Sequence, residues 1–346
     1  MPPKQKRQKK QKPFEKLQDF IILYNNTCAM YDVQPLPEVE ELYKPFIEKK
    51  AKKTPQMIQF SDTVVPPTNI RPLVEAFQKG DVRIKILSFL NTQSGDDGLH
   101  ALAHSLSPPL EIVGIAYHAN GVGPSGCRGF ARSMVNSKFL TILELDFNPQ
   151  IGDEGIIGLT SYGHCQSLNR LSLSFCNIGD KGAECLAKWI SLPDCSIKEL
   201  ILNGNQIGPI GAAAIGLALP SNKSLNRLDL GDNIFGYDTN ALEGLYEGIK
   251  ECEPLSSVSL LNHFECPPSL YEKFLQLTVE KPLGEFELTV KMHDYFFQKI
   301  RATAMANKRK LAQKKKRRPS DGAEPQAASP PAIPVKETPP TENKTE

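Results

Sequence analysis

Several absences narrow the reading of this 346-residue sequence. No uninterrupted apolar run approaches the ~18–20 residues needed to cross a bilayer. The N-terminus, MPPKQKRQKKQK, is basic but lacks the apolar stretch of a secretory signal. Both absences point to an intracellular protein, in which the eight cysteines (28, 127, 165, 176, 185, 195, 252 and 266) read as reduced thiols. Those cysteines form no C-x-x-C pair, and HCQS and NHFEC bring Cys near His in sequence only. His100 and His104 of HALAH have helical spacing, but the glutamate that a zinc H-E-x-x-H helix needs is missing. The glycines of NGNQIGPIG fit neither a P-loop nor a dinucleotide fingerprint. No catalytic residue, cofactor, metal or small-molecule substrate is therefore expected.

Charge of one sign is absent locally rather than globally. The net charge is only +2, yet residues 1–12 hold six Lys/Arg and no acid, and residues 301–318 hold nine and no acid. The rest of the chain has 26 bases against 39 acids, a net −13. An acidic body with two basic ends would repel nucleic acid from the body and hold a polyanion, an acidic protein tail or RNA, at the ends. The candidate cations are Lys308, Arg309, Lys310, Lys314, Lys315, Lys316, Arg317 and Arg318, in a run that also has nuclear-localisation composition. Beyond them, seven prolines in residues 319–346 predict disorder. Ser320 follows an arginine pair, and Ser329 and Thr338 each precede proline, so all three are candidate phosphorylation sites. A phosphate adds roughly −2 at each and would weaken the grip of the basic run.

What is present, repeatedly, is a nine-residue frame: L-x-x-L-x-L-x-x-N/C. Close copies start at Leu140, Leu168, Ile197 and Leu225, weaker ones at Leu110 and Leu255, and a degenerate one at Ile84. Successive starts lie 26, 30, 28, 29, 28 and 30 residues apart. The L-x-L alternation predicts a short strand with its leucines in the core. An amphipathic helix is predicted after each, as in GAECLAKWISL. One such unit cannot bury both faces alone, so neighbours must stack.

These residues resemble leucine-rich repeats of the ribonuclease-inhibitor-like type. The resemblance implies an α/β solenoid: a horseshoe with a parallel concave sheet and convex helices. Five segments are predicted: a basic arm (1–12), a helical N-terminal extension (13–54), an array of about seven repeats with an N-terminal cap (55–280), a C-terminal segment with a basic helix (281–318) and the Pro-rich tail (319–346). In the extension, Phe14, Leu17, Ile21, Tyr24 and Cys28 fall on one helical face.

In this family recognition uses the outward slots of the strands. At the third slot, Arg170, Glu199 and Arg227 would form a charge ladder across strands ~4.8 Å apart. At the eighth slot, Tyr117, Phe147 and Phe175 would stack as an aromatic column, a typical hot-spot composition. Glu144, Asp146, Asp229 and Asp232 add negative charge beside it. The expected occupant is a protein segment of basic and apolar character. The resulting expectation is a non-enzymatic protein-binding scaffold anchored by its basic ends, in a cytoplasmic, cytoskeletal or ciliary assembly. Two alternatives are a Ran-type GTPase activator, whose family carries an acidic tail where this chain is basic, and a nucleolar or ribosome-associated RNA-binding factor using the tails, with the nucleus as the alternative location.

Overall fold

The computed structural model describes residues 11–261, 268–281, 283–288, 302–310 and 312–313. Within them the chain alternates strand and helix. After α1 (Pro13–Met30) and α2 (Pro37–Glu48) come β1 (Met57–Ser61), α3 (Pro67–Lys79), β2 (Ile86–Leu90), α4 (Gly95–Ala103), β3 (Gly114–His118) and α5 (Pro124–Met134). The series continues through β4 (Ile142–Glu144), α6 (Gly152–Thr160), β5 (Arg170–Ser172), α7 (Asp180–Ile190), β6 (Glu199–Ile201), α8 (Pro209–Ala218) and β7 (Arg227–Asp229). It closes with α9 (Thr239–Glu251), β8 (Ser257–Leu260), α10 (Pro268–Glu280) and β9 (Glu285–Leu288). The nine strands form one sheet in sequence order, every pair parallel. Residues 302–310 are helical as well.

The frame leucines do what their spacing predicts. Leu143, Leu171, Leu200 and Leu228 pair in register along the sheet and are fully buried. The sheet also runs past residue 280: β9 pairs with β8 through Phe286 opposite Val258. At the other end, α1 and α2 cover the first units. Phe20 stacks on Phe77 of α3 at 4.4 Å and meets Tyr43 of α2 edge-on at 5.5 Å. The buried face of α1 is Leu17, Phe20, Tyr24, Thr27 and Cys28, so Phe20 joins the expected stripe, in which Ile21 packs against the core while only partly buried and Phe14 is half-buried.

The register corrects one repeat. Gly114, Ile115 and Ala116 pair with Ile142, Leu143 and Glu144. The third unit's frame therefore starts at Ile112, two residues after Leu110, and Tyr117 falls on the sixth, inward slot. It is fully buried, against Phe89 at 5.9 Å, and its hydroxyl donates to the Gly95 carbonyl at 3.0 Å.

Two polar devices join neighbouring units. The first is the frame asparagine. Asn148 Oδ1 accepts from the amides of Asn120 (2.9 Å) and Val122 (3.1 Å), and its Nδ2 donates to the carbonyls of Tyr117 and Leu145 (2.8 Å each). Asn205 repeats this toward Cys176 and Ile178, and Asn120 and Asn233 make partial versions. These bonds satisfy backbone groups that the turn would otherwise bury unpaired. Cys176 stands in this ladder with a thiol that reaches the Leu145 carbonyl at 3.2 Å. The second device is an aspartate in the first turn of a helix that caps the next helix along. Asp153 Oδ1 accepts from the amides of Gly179 (2.7 Å) and Gly182 (2.9 Å), and Asp180 Oδ1 from Gly208 (2.8 Å) and Gly211 (2.7 Å). Each carboxylate sits at the positive end of its neighbour's helix dipole.

Candidate functional site: the concave sheet and its aromatic rim

The eighth residue of successive units leaves the strand with left-handed backbone. Asp62, Asn91, Ala119, Phe147, Phe175, Gly204 and Asp232 have φ between 51° and 70°. Glycine, asparagine and aspartate occupy that region readily; a phenylalanine there is strained. Two consecutive units nevertheless place Phe there. Their rings stack at 5.0 Å and within 6° of parallel, and they remain 41% and 42% exposed. The ring of Phe175 leans over Gly204, where a Cβ would lie 2.4 Å from it. Phe147, Phe175 and Gly204 thus form a flat apolar shelf at the rim. The expected three-ring column is corrected to two rings, because Tyr117 belongs to the core.

Below the shelf lies the charged floor. Register places Arg170 beside Glu199 and Glu199 beside Arg227. Arg170 pairs with Glu144 at 2.8 Å and with Glu199. Arg227 turns the other way, to Glu285 of β9 at 3.1 Å, and Lys308 pairs with the same carboxylate. The ladder is therefore split into Glu144–Arg170–Glu199 and Arg227–Glu285–Lys308. One of the candidate polyanion-binding cations is engaged in it. Lys314, Lys315, Lys316, Arg317, Arg318, Ser320, Ser329 and Thr338 lie outside the described residues, as does Cys266.

The corrected register also brings in His118, which spacing alone had left out. It occupies the seventh slot of its strand, beside Asp146, and is 5% exposed. Its Nε2 lies 3.6 Å from Glu144 and 3.9 Å from Asp146, contacts too long for hydrogen bonds. Burial raises the Glu144 carboxyl, but the His118 ring and the Arg170 guanidinium outweigh it, and the group ends below its ordinary range. For Asp146 burial wins over His118 and the donors Ser172 and Ser174, and the group ends above its ordinary range. Asp229 receives the Gly231 amide at 3.1 Å. The amide of Asp232 bonds the Leu261 carbonyl at 2.8 Å.

Among the described residues the other groups with chemical potential are quiet. Seven cysteines are free, and burial pushes the Cys127 thiol up to about 12. Among the described residues no group of three or more His, Cys, Asp or Glu is placed to hold a metal ion, and no helix is long and apolar enough to cross a membrane.

A one-sheet solenoid of parallel strand–helix units with an asparagine ladder defines the class: a repeat protein that displays a continuous concave sheet. The chain carries leucine-rich repeats of the ribonuclease-inhibitor-like type: the family model "Leucine Rich repeat" matches residues 136–159, 164–187 and 194–216. Similar proteins include NACHT, LRR and PYD domains-containing protein 14 of Homo sapiens, 29% identical over 143 residues, which cover 33% of this chain and 13% of that protein. The ribonuclease inhibitor of Mus musculus is 24% identical over 154 residues, 44% of this chain and 28% of its own. The matched segments thus span well under a third of either relative. A solved structure of Leiomodin-1 Actin-Binding Site 2 (ABS2) aligns over 64% of this chain and 95% of its own, at 14% identity and a TM-score of 0.37.

Proposed function

We propose that this protein is a non-catalytic scaffold that holds a protein segment on its concave face, with the Phe147–Phe175 shelf as the anchor. The observation that carries the reading is strain without burial. Two bulky residues occupy left-handed backbone, stack on each other and stay two-fifths exposed. Strain of this kind gathers at binding sites, because the fold gains little from it. Stacked exposed aromatics suit an apolar, aromatic or arginine side chain of a partner. The floor beside them carries Glu144, Asp146, Asp229 and Asp232, which favours a segment of basic character. A repeat array that builds one long concave surface is a general platform for proteins, and the name of the mouse relative declares a protein target. In this reading the basic ends tether the scaffold to a polyanion such as an acidic protein tail or RNA, and a cytoskeletal assembly is the setting to look in first.

The test begins with a partner identified by proximity labelling in cells. Bound to the purified partner, the intact chain should show slowed amide hydrogen exchange at the exits of β4, β5 and β6. Protection confined to the convex helices, with none at these exits, would overturn the reading.

A further inference from the structure

The convex side carries a second surface that concave binding does not explain. The exposed face of α5 presents Arg128 and Arg132 one helical turn apart, ~6 Å along the axis. They border a groove of about 420 Å³ whose other walls are His100 of α4, Pro124, Ser125 and Tyr162. Gly129 lies at its floor, and the His100 ring stands 3.5 Å from where a Cβ at that position would be. Tyr162 is 44% exposed; Arg132 lies over its ring at 5.2 Å and donates to its hydroxyl at 3.0 Å.

Charge balance sets this groove apart from the concave floor. There Arg170 and Arg227 are each paired with glutamates. No carboxylate lines the convex groove, and among the described residues neither Arg128 nor Arg132 has an acid within 4 Å. A second groove of about 490 Å³ shares His100 and continues the row with Arg71 and His104, with Asp97 as its single acid. Arg71 lies over Tyr31 at 6.0 Å, repeating the arginine-on-tyrosine arrangement. A chain that is net −13 outside its basic ends has gathered three arginines without ion pairs among the described residues and two exposed tyrosines around grooves that share His100, with Glu75, which accepts the Tyr31 hydroxyl, near the Arg71 end.

We infer that this convex trough binds an acidic peptide segment of a second partner, with carboxylates about one helical turn apart on Arg128 and Arg132 and an apolar side chain against Tyr162. Arginine forks fit carboxylates in a bidentate manner. The trough is short and the chain outside its basic ends is net acidic, which disfavours a long polyphosphate chain and admits a peptide carrying a few negative charges. The protein would then bridge two partners, one on each face.

The experiment uses the full chain with a photoreactive benzoylphenylalanine in place of Ser125, and a fluorescein-labelled ten-residue peptide of Glu and Asp with two Phe. The expected result is a cross-link at position 125 and saturable anisotropy. Affinity should fall at least tenfold in Arg128→Glu/Arg132→Glu and less, but in the same direction, in the charge-neutral Arg128→Gln/Arg132→Gln. Circular dichroism identical to the parent chain keeps the comparison about binding. Binding without a cross-link at 125, or affinity unchanged by charge reversal, would assign the peptide to the basic termini and overturn the proposal. So would a twelve-nucleotide RNA that displaces the peptide from the cross-link at lower concentration than unlabelled peptide.

Discussion

Phe175 and Tyr117 share a slot in the sequence-predicted aromatic column and are opposites in the structure, so their replacement separates binding surface from core. Tyr117 is fully buried and bonded to Gly95. Tyr117→Ala removes a core ring and should cost about 3–5 kcal/mol. Phe175 is 42% exposed with φ of 54°. Phe175→Asn places a residue that tolerates left-handed backbone, as Asn91 does in the same slot at φ of 51°. Relief of the backbone is worth about 1 kcal/mol, the low end for such strain. The lost stack with Phe147 is worth about 0.5–1.5 kcal/mol, and the half-buried ring about 1 kcal/mol of transfer energy. The sum is a loss of about 0.5–1.5 kcal/mol. Trp189, the single tryptophan, is buried in α7 of the same unit and reports equilibrium urea unfolding there. Tyr117→Ala should lower the midpoint by roughly 1–2.5 M and Phe175→Asn by less than about 0.8 M, for a slope of about 2–3 kcal/mol/M. A loss above about 2 kcal/mol for Phe175→Asn would make the shelf part of the core and refute the reasoning. A loss below about 1 kcal/mol for Tyr117→Ala would refute the register.

Three further outcomes follow from the polar devices. Asp180→Ala deletes two charge-assisted bonds to Gly208 and Gly211 and should destabilise by about 2–4 kcal/mol, with early hydrogen exchange in α8; unchanged exchange there would count against the capping role. Cys176→Asn restores the carboxamide ladder between Asn148 and Asn205 and should stabilise by about 1 kcal/mol in urea, while a loss of similar size would mean the pocket fits only the thiol. Asp146 has a folded-state carboxyl raised by burial, so its contribution to stability falls as pH rises through the range between its unfolded and folded titrations. Asp146→Asn should therefore gain stability relative to the parent chain near neutral pH, and the gain should vanish below pH ~3; a gain that persists in acid would assign it to another cause.

How much of this was legible in the chain differs from element to element. The frame at Leu140, Leu168, Ile197 and Leu225 predicts the strands and their buried leucines, because period-two alternation and a closing Asn or Cys are local signals. The frame at Ile112 was masked by Leu110, two residues earlier, and by an aromatic at its sixth slot. A frame started at Leu110 puts Tyr117 in the rim slot and leaves His118 out of the slot beside Asp146. A shift of two preserves the inside–outside alternation, so alternation alone could not expose it. Asn120 in the closing slot was the signal that would have. The β9 strand was hidden because LGEFEL carries only the first half of a frame. The third-slot charges were legible as neighbours, but the partner of Arg227 depends on a glutamate in that unforeseen strand. The clamps of Asp153 and Asp180 left a trace in the recurring I-G-D, whose function becomes visible only when adjacent helices are placed side by side.

The central claim is that the exposed shelf, rather than the repeat scaffold as a whole, holds the partner. The most direct measurement is the dissociation constant of the purified partner for the intact chain and for Phe147→Ala/Phe175→Ala, both shown folded by urea unfolding. The account predicts at least a 30-fold loss, about 2 kcal/mol, in keeping with two aromatic anchors removed from a hot spot. Affinity within a factor of three of the intact chain would contradict it.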